Sequence, residues 1–293
     1  MGRINWHAGF VAAMKLELME DEEYLEFKEE QYLDGRKQRL DLLIIKNDRS
    51  VRLHNEIGAN FDKFNILEYK NPNDELNAEH YYRLLGYTSR YLYERHDHDV
   101  YPADAYTMTI VRQGIPREMF RQLKVDGIES AEVMPGIYEL SGKLPFVTQI
   151  IVSGRLPNNG RHAWLRGLTN KAGKRDLGCL VEYSRGLDSK YKEQAEDVMD
   201  VFVRANAGLM NEIKKEGGSM CRAVNELFAD EINEMKAVLA DRETQLADKE
   251  TQLADKETQL ADKETQLADN AVQIKTLTDR IAQLENELRL ARK

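Results

Sequence analysis

Two kinds of hydrophobic pattern alternate over the first 115 residues. Apolar residues three or four positions apart predict helices at about 6–22 and 77–94. Four segments are typical of β-strands: "YLEFKEEQYL" (24–33), "RLDLLIIK" (39–46), "KFNILEYK" (63–70) and "AYTMTIVRQ" (105–113). The apolar run of the second strand predicts that both of its faces are buried. The predicted order of elements is helix, three strands, helix, strand.

A second group of patterned segments fills residues 116–235. "REMFRQLK" predicts a helix, and "AEVMPGIYEL" and "FVTQIIVSGRL" predict strands separated by turns. Helical spacing returns in "SKYKEQAEDVMDVFVRANAGLMNEIKKE" and "MCRAVNELFADEINEMK". We therefore expect an α/β fold with a mixed α+β sheet. Residues 116–235 would form an α+β extension that completes the globular domain begun by residues 1–115.

A heptad repeat runs through residues 236–293. One register is kept by apolar residues at seven-residue intervals: Leu239, Leu246, Leu253, Leu260, Leu267, Ile274, Ile281 and Leu288. In the near-identical "ETQLADK" heptads the other seam position is lysine, whereas from Ile274 onward both seam positions are apolar. This pattern predicts a coiled-coil helix that forms a homodimer and pairs best at its far end. The alternative is a single solvated helix.

Composition and charge narrow the possible partners. The formal net charge of −9 means that a nucleic acid would have to be held by a local basic surface or through metal ions. Cys179 and Cys221 are the two cysteines, which favours a reducing compartment and excludes a disulfide framework or a thiolate metal site. No secretory signal, membrane-spanning run or dinucleotide-binding glycine motif is present. We expect a cytoplasmic protein with neither a membrane contact nor a nucleotide cofactor.

Charged residues occur where two of the predicted strands begin and end. Asp41 opens the second strand, and Glu68 and Lys70 close the third on the same face of that strand. If these strands are neighbours, the two carboxylates converge and require a cation, and oxygen ligands favour Mg²⁺ or Mn²⁺. A lysine beside such an ion can orient a water or stabilise charge on a phosphoryl oxygen. The alternative is a set of solvated residues in which Glu68 and Lys70 form a surface ion pair.

These residues carry a resemblance to a known family. The element order, with Asp41 on one strand and Glu68-Tyr69-Lys70 on the next, resembles the PD-(D/E)XK nuclease superfamily. More narrowly, "WHAGFVAAMKLEL", "RLDLLIIK", "FNILEYKNPND" and "MCRAVNELFADE" resemble PD-(D/E)XK nuclease family transposases, bacterial proteins related to recombination-promoting nucleases. The resemblance covers roughly residues 4–235. Leu40 stands where the family name has a proline.

The resemblance implies both an activity and roles for individual residues. It implies a restriction-endonuclease-like αβββαβ core in residues 1–115, a Mg²⁺-dependent DNA endonuclease activity and a role in mobile-element recombination. Asp41 and Glu68 would be the metal ligands and Lys70 the catalytic lysine. The superfamily often adds an acid from a helix, and Glu17 is the best match for it.

Two further segments are candidates for contacting DNA. Residues 155–175 hold six cations and no acid, and the candidates for phosphate contact among them are Arg161, Arg166, Lys171, Lys174 and Arg175. Trp164 in this segment could stack on a base or lie in the core. The helix at 77–94 offers Tyr82, Arg83, Tyr87 and Arg90, although aromatic residues at helical spacing usually face the core.

Three functions are compatible with this sequence. The first is a metal-dependent DNA endonuclease that cuts both strands as a homodimer. The second is a catalytically silent DNA-binding or scaffold protein that is dimerised by its coiled coil. The third is a nuclease that acts as a toxin or in defence, which the sequence does not separate from a nuclease linked to transposition.

Overall fold

A computed structural model of the chain describes residues 4–33, 38–94, 101–158 and 160–216, together with scattered helical positions between 244 and 284. The chain divides into two compact units, residues 1–224 and 225–293. The described part of the first unit is a mixed α/β domain built on one seven-stranded sheet. The helix predicted at 220–236 and most of the heptad repeat lie outside the described residues.

The elements of the first unit alternate between helices and strands. Those that carry the argument are, in chain order, α1 (Trp6–Glu17), β1 (Leu25–Leu33), β2 (Gln38–Lys46), β3 (Phe64–Lys70), α2 (Ala78–Glu94), β4 (Tyr106–Arg112), α3 (Arg117–Val125), β5 (Glu129–Met134), β6 (Ile137–Ser141), β7 (Val147–Val152), α4 (Ala163–Gly167), α5 (Lys174–Arg185), α6 (Lys192–Ala205) and α7 (Ala207–Glu216). The order α1-β1-β2-β3-α2-β4 is the predicted one.

The strand order in the sheet is β1-β2-β3-β4-β7-β6-β5. The neighbours β1, β2 and β3 are antiparallel, β3, β4 and β7 are parallel, and β7, β6 and β5 are again antiparallel. The three central parallel strands therefore end at the same edge of the sheet. The helix α2 connects β3 to β4, as a parallel crossover requires.

Helices cover both faces of the sheet. On β3, Phe64 and Ile66 lie in one apolar core with Tyr81 and Leu84 of α2. Tyr69 has the opposite orientation on this strand, and its ring stacks on Phe10 of α1 at 4.9 Å.

The helix α1 packs in turn against α4 and α6. A Cβ atom at Gly9 would lie 2.7 Å from Cγ2 of Val201, so the absence of a side chain there allows α1 and α6 to approach closely. Side chains of β2 are buried on both faces, as predicted, because the strand lies inside the sheet: Leu42, Leu43 and Ile44 have no exposed surface.

Several predicted elements differ from the observed ones. The first helix ends at Glu17, and a 3-10 turn (Met19–Tyr24) follows, in which Asp21 is buried. "AEVMPGIYEL" forms β5 and β6 in place of one strand, because Gly136 adopts φ +81° between them.

The long helix predicted over 189–216 is broken at Asn206, whose Nδ2 donates to the backbone oxygens of Thr169 and Phe202. The helix α5 was not predicted. None of the helices in the described part of the chain has the length and apolar character needed to cross a membrane.

A buried acid fixes the loop between β2 and β3 to the turn after α1. Oδ2 of Asp21 accepts a hydrogen bond from the backbone N–H of His54 at 2.8 Å, and Oδ1 lies 2.7 Å from Nδ1 of the same residue. The Asp21 side chain is fully buried, whereas the His54 ring is largely exposed. The hydrogen bond to Asp21 and its charge raise the pKa of His54.

The raised pKa of His54 makes the stability of the domain depend on pH. A folded-state pKa above the unfolded value of about 6.5 means that the charged imidazole stabilises the fold below that pH. This contribution is lost as the pH rises through the folded-state value. We expect His54→Ala to be less stable than wild type at pH 6 in urea unfolding, with a clearly smaller difference at pH 8.5. A difference of the same size at both pH values would contradict a charge-assisted bond to Asp21.

Candidate active site

The first part of the site lies where β2 and β3 separate. Their antiparallel ladder pairs Leu42 with Leu67, and Asp41 and Glu68 are the next residues on each strand. The backbone N–H of Tyr69 donates to Oδ2 of Asp41 at 2.9 Å. A side-chain oxygen thus replaces a backbone acceptor at this point. It fixes the Asp41 carboxylate at the end of the ladder, next to Tyr69.

Glu68 and Lys70 form a partly buried ion pair on the face of β3 opposite Tyr69. Nζ of Lys70 donates to Oε1 of Glu68 at 2.6 Å, and each side chain is 12% exposed. Burial raises the pKa of Glu68, and the negative charge of Asp41 raises it further, while Lys70 and Arg83 oppose the shift. The structure therefore brings together the three residues that the sequence predicts, and it places two carboxylates close enough to repel each other.

The donor set of this site fits a hard divalent cation. Its two carboxylates offer oxygen ligands, and their mutual repulsion is what such an ion would relieve. Within the described residues, no group of three or more His, Cys, Asp or Glu side chains is arranged to hold a metal. Asp41 and Glu68 would therefore bind the ion with water or backbone oxygens as the remaining ligands, as is usual for Mg²⁺.

The helix α2 contributes two basic side chains near Lys70. The charge of Arg83 opposes the rise of the Glu68 pKa that burial causes. Burial, then the charges of Lys70 and Arg83, lower the pKa of His80, which keeps this imidazole neutral at physiological pH. Arg83 is among the residues that the sequence suggested, whereas His80 is not. The spacing His80-x-x-Arg83 places both residues on one helix face, and this spacing could have indicated that His80 lies near the site.

On the other side of Asp41, the sequence missed three neighbours. Nδ1 of His7 lies 3.8 Å from Oδ1 of Asp41, and Nε2 of His7 lies 3.6 Å from Oε1 of Glu30. Glu30 also pairs with Arg39 at 2.8 Å. Glu30 has φ 48°, and the β1–β2 ladder skips the Glu30–Asp41 pair. This left-handed residue in a strand is a local strain beside Asp41.

A cleft of about 1010 Å³ opens beside Asp41. Its walls are the start of α1, including Trp6 and His7, the distorted part of β1, and the loop from Tyr69 to Asp74. The hydroxyl of Tyr69 is buried and has no hydrogen-bond partner among the described residues. Burial raises the pKa of Tyr69, so the hydroxyl keeps its proton. The cleft leaves room for a substrate next to the Asp41 carboxylate.

Glu17 does not join this site. It is ten residues from His7 on α1, which is about 15 Å along a helix. Its carboxylate is fully buried and accepts from the backbone N–H of Leu165 at 3.0 Å, and it also contacts His162 at 3.0 Å and Asn55 at 3.2 Å. These contacts tie α1 to α4 and to the loop between β2 and β3. We therefore remove Glu17 from the candidate site and assign it a structural role.

Three of the six cations of the 155–175 segment are held by acids outside it. Arg155 pairs with Glu132, Arg161 with Glu56, and Arg166 with Asp176. A phosphate contact by Arg161 or Arg166 would require these ion pairs to break. Contacts by Lys171, Lys174 and Arg175 remain predictions.

The aromatic candidates for contacting DNA are also engaged. Trp164 is only 2% exposed, so it cannot stack on a base. The hydroxyl of Tyr82 donates to Asp126 at 2.6 Å, and that bond raises the pKa of Tyr82 to about 12. Arg90 is paired with Glu94 one helical turn away. DNA contacts by Tyr82 and Arg90 would therefore compete with contacts inside the protein.

The raised pKa of Glu68 gives a prediction about metal binding. Since the folded-state pKa lies above the unfolded one, ionised Glu68 costs stability, and the cost appears as the pH rises through the folded value. We expect Glu68→Gln to melt higher than wild type at pH 7 without metal. At a Mg²⁺ concentration of ten times the Kd, wild type should gain about 1.4 kcal/mol, or roughly 3–6 °C.

The gain from Mg²⁺ should be lost in Glu68→Gln and in Asp41→Asn. Glu118→Gln, which changes an exposed acid of α3, serves as the control and should respond like wild type. Thermal unfolding with and without MgCl₂ measures both effects. An equal response to Mg²⁺ in all four proteins would exclude this site as the place where the metal binds.

No family model, no curated protein and no solved structure matches the chain. The function that follows therefore rests on the geometry of the site and on the resemblance in the sequence.

Proposed function

We propose that this protein is a Mg²⁺- or Mn²⁺-dependent DNA endonuclease of the PD-(D/E)XK type with a restriction-endonuclease-like core. The observation that carries the proposal is the convergence of Asp41, Glu68 and Lys70 at the ends of two adjacent strands. The element order α1-β1-β2-β3-α2-β4 supports it as well. A role in mobile-element recombination belongs to the same proposal and rests on the resemblance alone.

Each residue of the site has a distinct task in this mechanism. Asp41 and Glu68 would hold the divalent ion, and Asp41 is kept in place by the N–H of Tyr69. The bound ion supplies Lewis-acid activation of the phosphate and lowers the pKa of a water. Nζ of Lys70 would donate a hydrogen bond to the attacking water or to a phosphate oxygen. Its charge offsets the negative charge that develops in the transition state.

The ion pair between Glu68 and Lys70 has a consequence for this mechanism. In the described contacts, the only acceptor of the Lys70 ammonium is Oε1 of Glu68. If the Glu68 carboxylate bound a metal ion, its hydrogen bond from Lys70 would weaken. The Lys70 ammonium could then donate to the substrate. The buried position of both side chains strengthens these electrostatic interactions relative to water.

Plasmid nicking tests the proposal directly. We expect the full-length protein to nick supercoiled DNA with Mg²⁺ or Mn²⁺ and to stop when a chelator is added. Lys70→Ala and Asp41→Ala should each lower the rate by at least about 100-fold, because each removes a group that stabilises the transition state. Lys124→Ala, an exposed lysine of α3, is the matched control and should keep the wild-type rate.

Either of two outcomes would count against the nuclease. Metal-dependent nicking that survives both site variants would place the activity elsewhere or in a contaminant. A folded wild-type protein that never cuts would favour the second function, a DNA-binding or scaffold protein without catalysis. Circular dichroism of each variant separates the loss of activity from the loss of the fold.

A feature of the second unit supports self-association in either case. Four apolar side chains at positions 274, 277, 281 and 284 follow the three-and-four spacing of a coiled-coil seam on helical residues. All four are exposed in the single chain, Ile274 and Leu277 by 64% each. We propose that a second copy of the chain covers this stripe, which would give a dimer with two active sites, one for each DNA strand.

Sedimentation of the full-length protein tests this pairing. We expect a dimer for wild type and a monomer for the double variant Ile274→Glu and Ile281→Glu, because two buried like charges in each helix oppose association. Thr276→Glu, which changes the outer face of the same helix, should remain a dimer. A monomeric wild type at micromolar concentration would contradict the coiled coil.

A further inference from the structure

A row of cations lies at the edge of the sheet where the parallel strands end. In the ladders, Lys70 of β3 is the partner of Arg112 of β4, and Arg112 is the partner of Val152 of β7. Partners in neighbouring strands point to the same face and lie about 4.8 Å apart. Arg112 is therefore next to the proposed catalytic lysine at the carboxyl end of the sheet, where α/β folds bind their ligands.

A pocket of about 380 Å³ opens at this end of β4 and β7. Arg112, Arg155 and Lys171 line it, together with the glycines Gly114 and Gly154. No acidic residue is among its lining residues in the described part of the chain. In a protein with a net charge of −9, such a concentration of positive charge favours an anion.

Arg112 is the unusual member of this set. Its Nε is buried and lacks a hydrogen-bond partner among the described residues. Burial lowers the pKa of the guanidinium, and the charge of Asp74 only partly offsets that effect. A buried N–H of a guanidinium without an acceptor is costly, and an anion in the pocket would supply that acceptor.

The two other cations differ in their availability. Arg155 already pairs with Glu132. The backbone N–H of Lys171 donates to Oγ1 of Thr169, and within the described residues its ammonium contacts no acid. The pocket thus contains a fixed, planar guanidinium on a strand and a flexible ammonium on a loop. This combination suits the geometry of a phosphate group.

We propose that the pocket formed by Arg112, Arg155 and Lys171 binds a backbone phosphate of the DNA strand that is cut, close to the scissile phosphate. The inference rests on the proposed nuclease function, since Lys70 marks the position of the scissile phosphate. The strand then runs across the carboxyl ends of β3, β4 and β7, from the two carboxylates toward the cations. These local cations would allow a protein of negative net charge to bind DNA.

The salt dependence of DNA binding tests this assignment. A labelled DNA duplex is titrated with the full-length protein in Ca²⁺ in place of Mg²⁺, at four salt concentrations, and a gel confirms that the duplex stays intact. Each phosphate contact contributes about 0.9 to the slope of log K against log salt. We expect Arg112→Gln and Lys171→Gln each to reduce that slope by about this amount and to weaken binding equally for unrelated sequences.

Two controls separate this role from a structural one. Arg121→Gln makes the same chemical change on α3, where Arg121 pairs with Glu118, and should leave the slope unchanged. Arg112→Lys keeps the charge and should restore most of the slope. Lys171 is exposed, so its variant tests the pocket even if Arg112→Gln folds poorly.

Several results would overturn the inference. The first is an unchanged slope in both Gln variants, and the second is no DNA binding by wild type. The third is stabilisation by inorganic phosphate that depends on Arg112 while the DNA slope stays constant, since it would mark a site for free phosphate. Reduced salt slopes in the Gln variants without metal-dependent cutting would support the phosphate pocket and refute the nuclease. Metal-dependent cutting with unchanged salt slopes would support the nuclease and refute the pocket.

Discussion

The hydrogen bond from the backbone of Tyr69 to the side chain of Asp41 is the contact on which the site depends. At this point the ladder between β2 and β3 has ended, and the carboxylate replaces a backbone acceptor. The bond fixes the Asp41 carboxylate beside Tyr69, and the alternation of side chains along β3 places the two residues that flank Tyr69 on the opposite face. Those two residues are Glu68 and Lys70. One hydrogen bond therefore positions the carboxylate of Asp41 on β2 relative to Glu68 and Lys70 on β3.

The electrostatic design of the domain follows from this arrangement. Negative charge is concentrated where the β2–β3 ladder ends, and burial together with the charge of Asp41 raises the pKa of Glu68 there. Positive charge is concentrated one strand further along, where the buried Nε of Arg112 lacks a hydrogen-bond partner among the described residues. A metal ion would relieve the repulsion between Asp41 and Glu68. A phosphate would supply the acceptor that Nε of Arg112 lacks. The two costs lie at adjacent strand ends, as expected of a surface that binds both components together.

The sequence predicts what depends on local spacing. Strands such as β2 are recognised by their apolar runs, and the i, i+2 spacing of Glu68 and Lys70 places their side chains on one face. The structure departs from the prediction where partners are distant in sequence. Arg161 looks free in a basic segment, yet it pairs with Glu56, 105 residues away. Glu17 has the right position for a helical acid, but the contacts of α4 bury it on another side of the helix. The position of Arg112 beside Lys70 depends on the register between β3 and β4, which no local pattern gives.

The close packing at Gly9 links the beginning of the domain to its end. The helix α1 places His7 beside Asp41, yet the surface that supports it is α6, formed by residues 192–205. During synthesis, Asp41, Glu68 and Lys70 therefore leave the ribosome long before α6, the helix against which α1 packs. The nascent chain would carry an unfinished site until about residue 205 has emerged, because contacts so far apart in sequence form late.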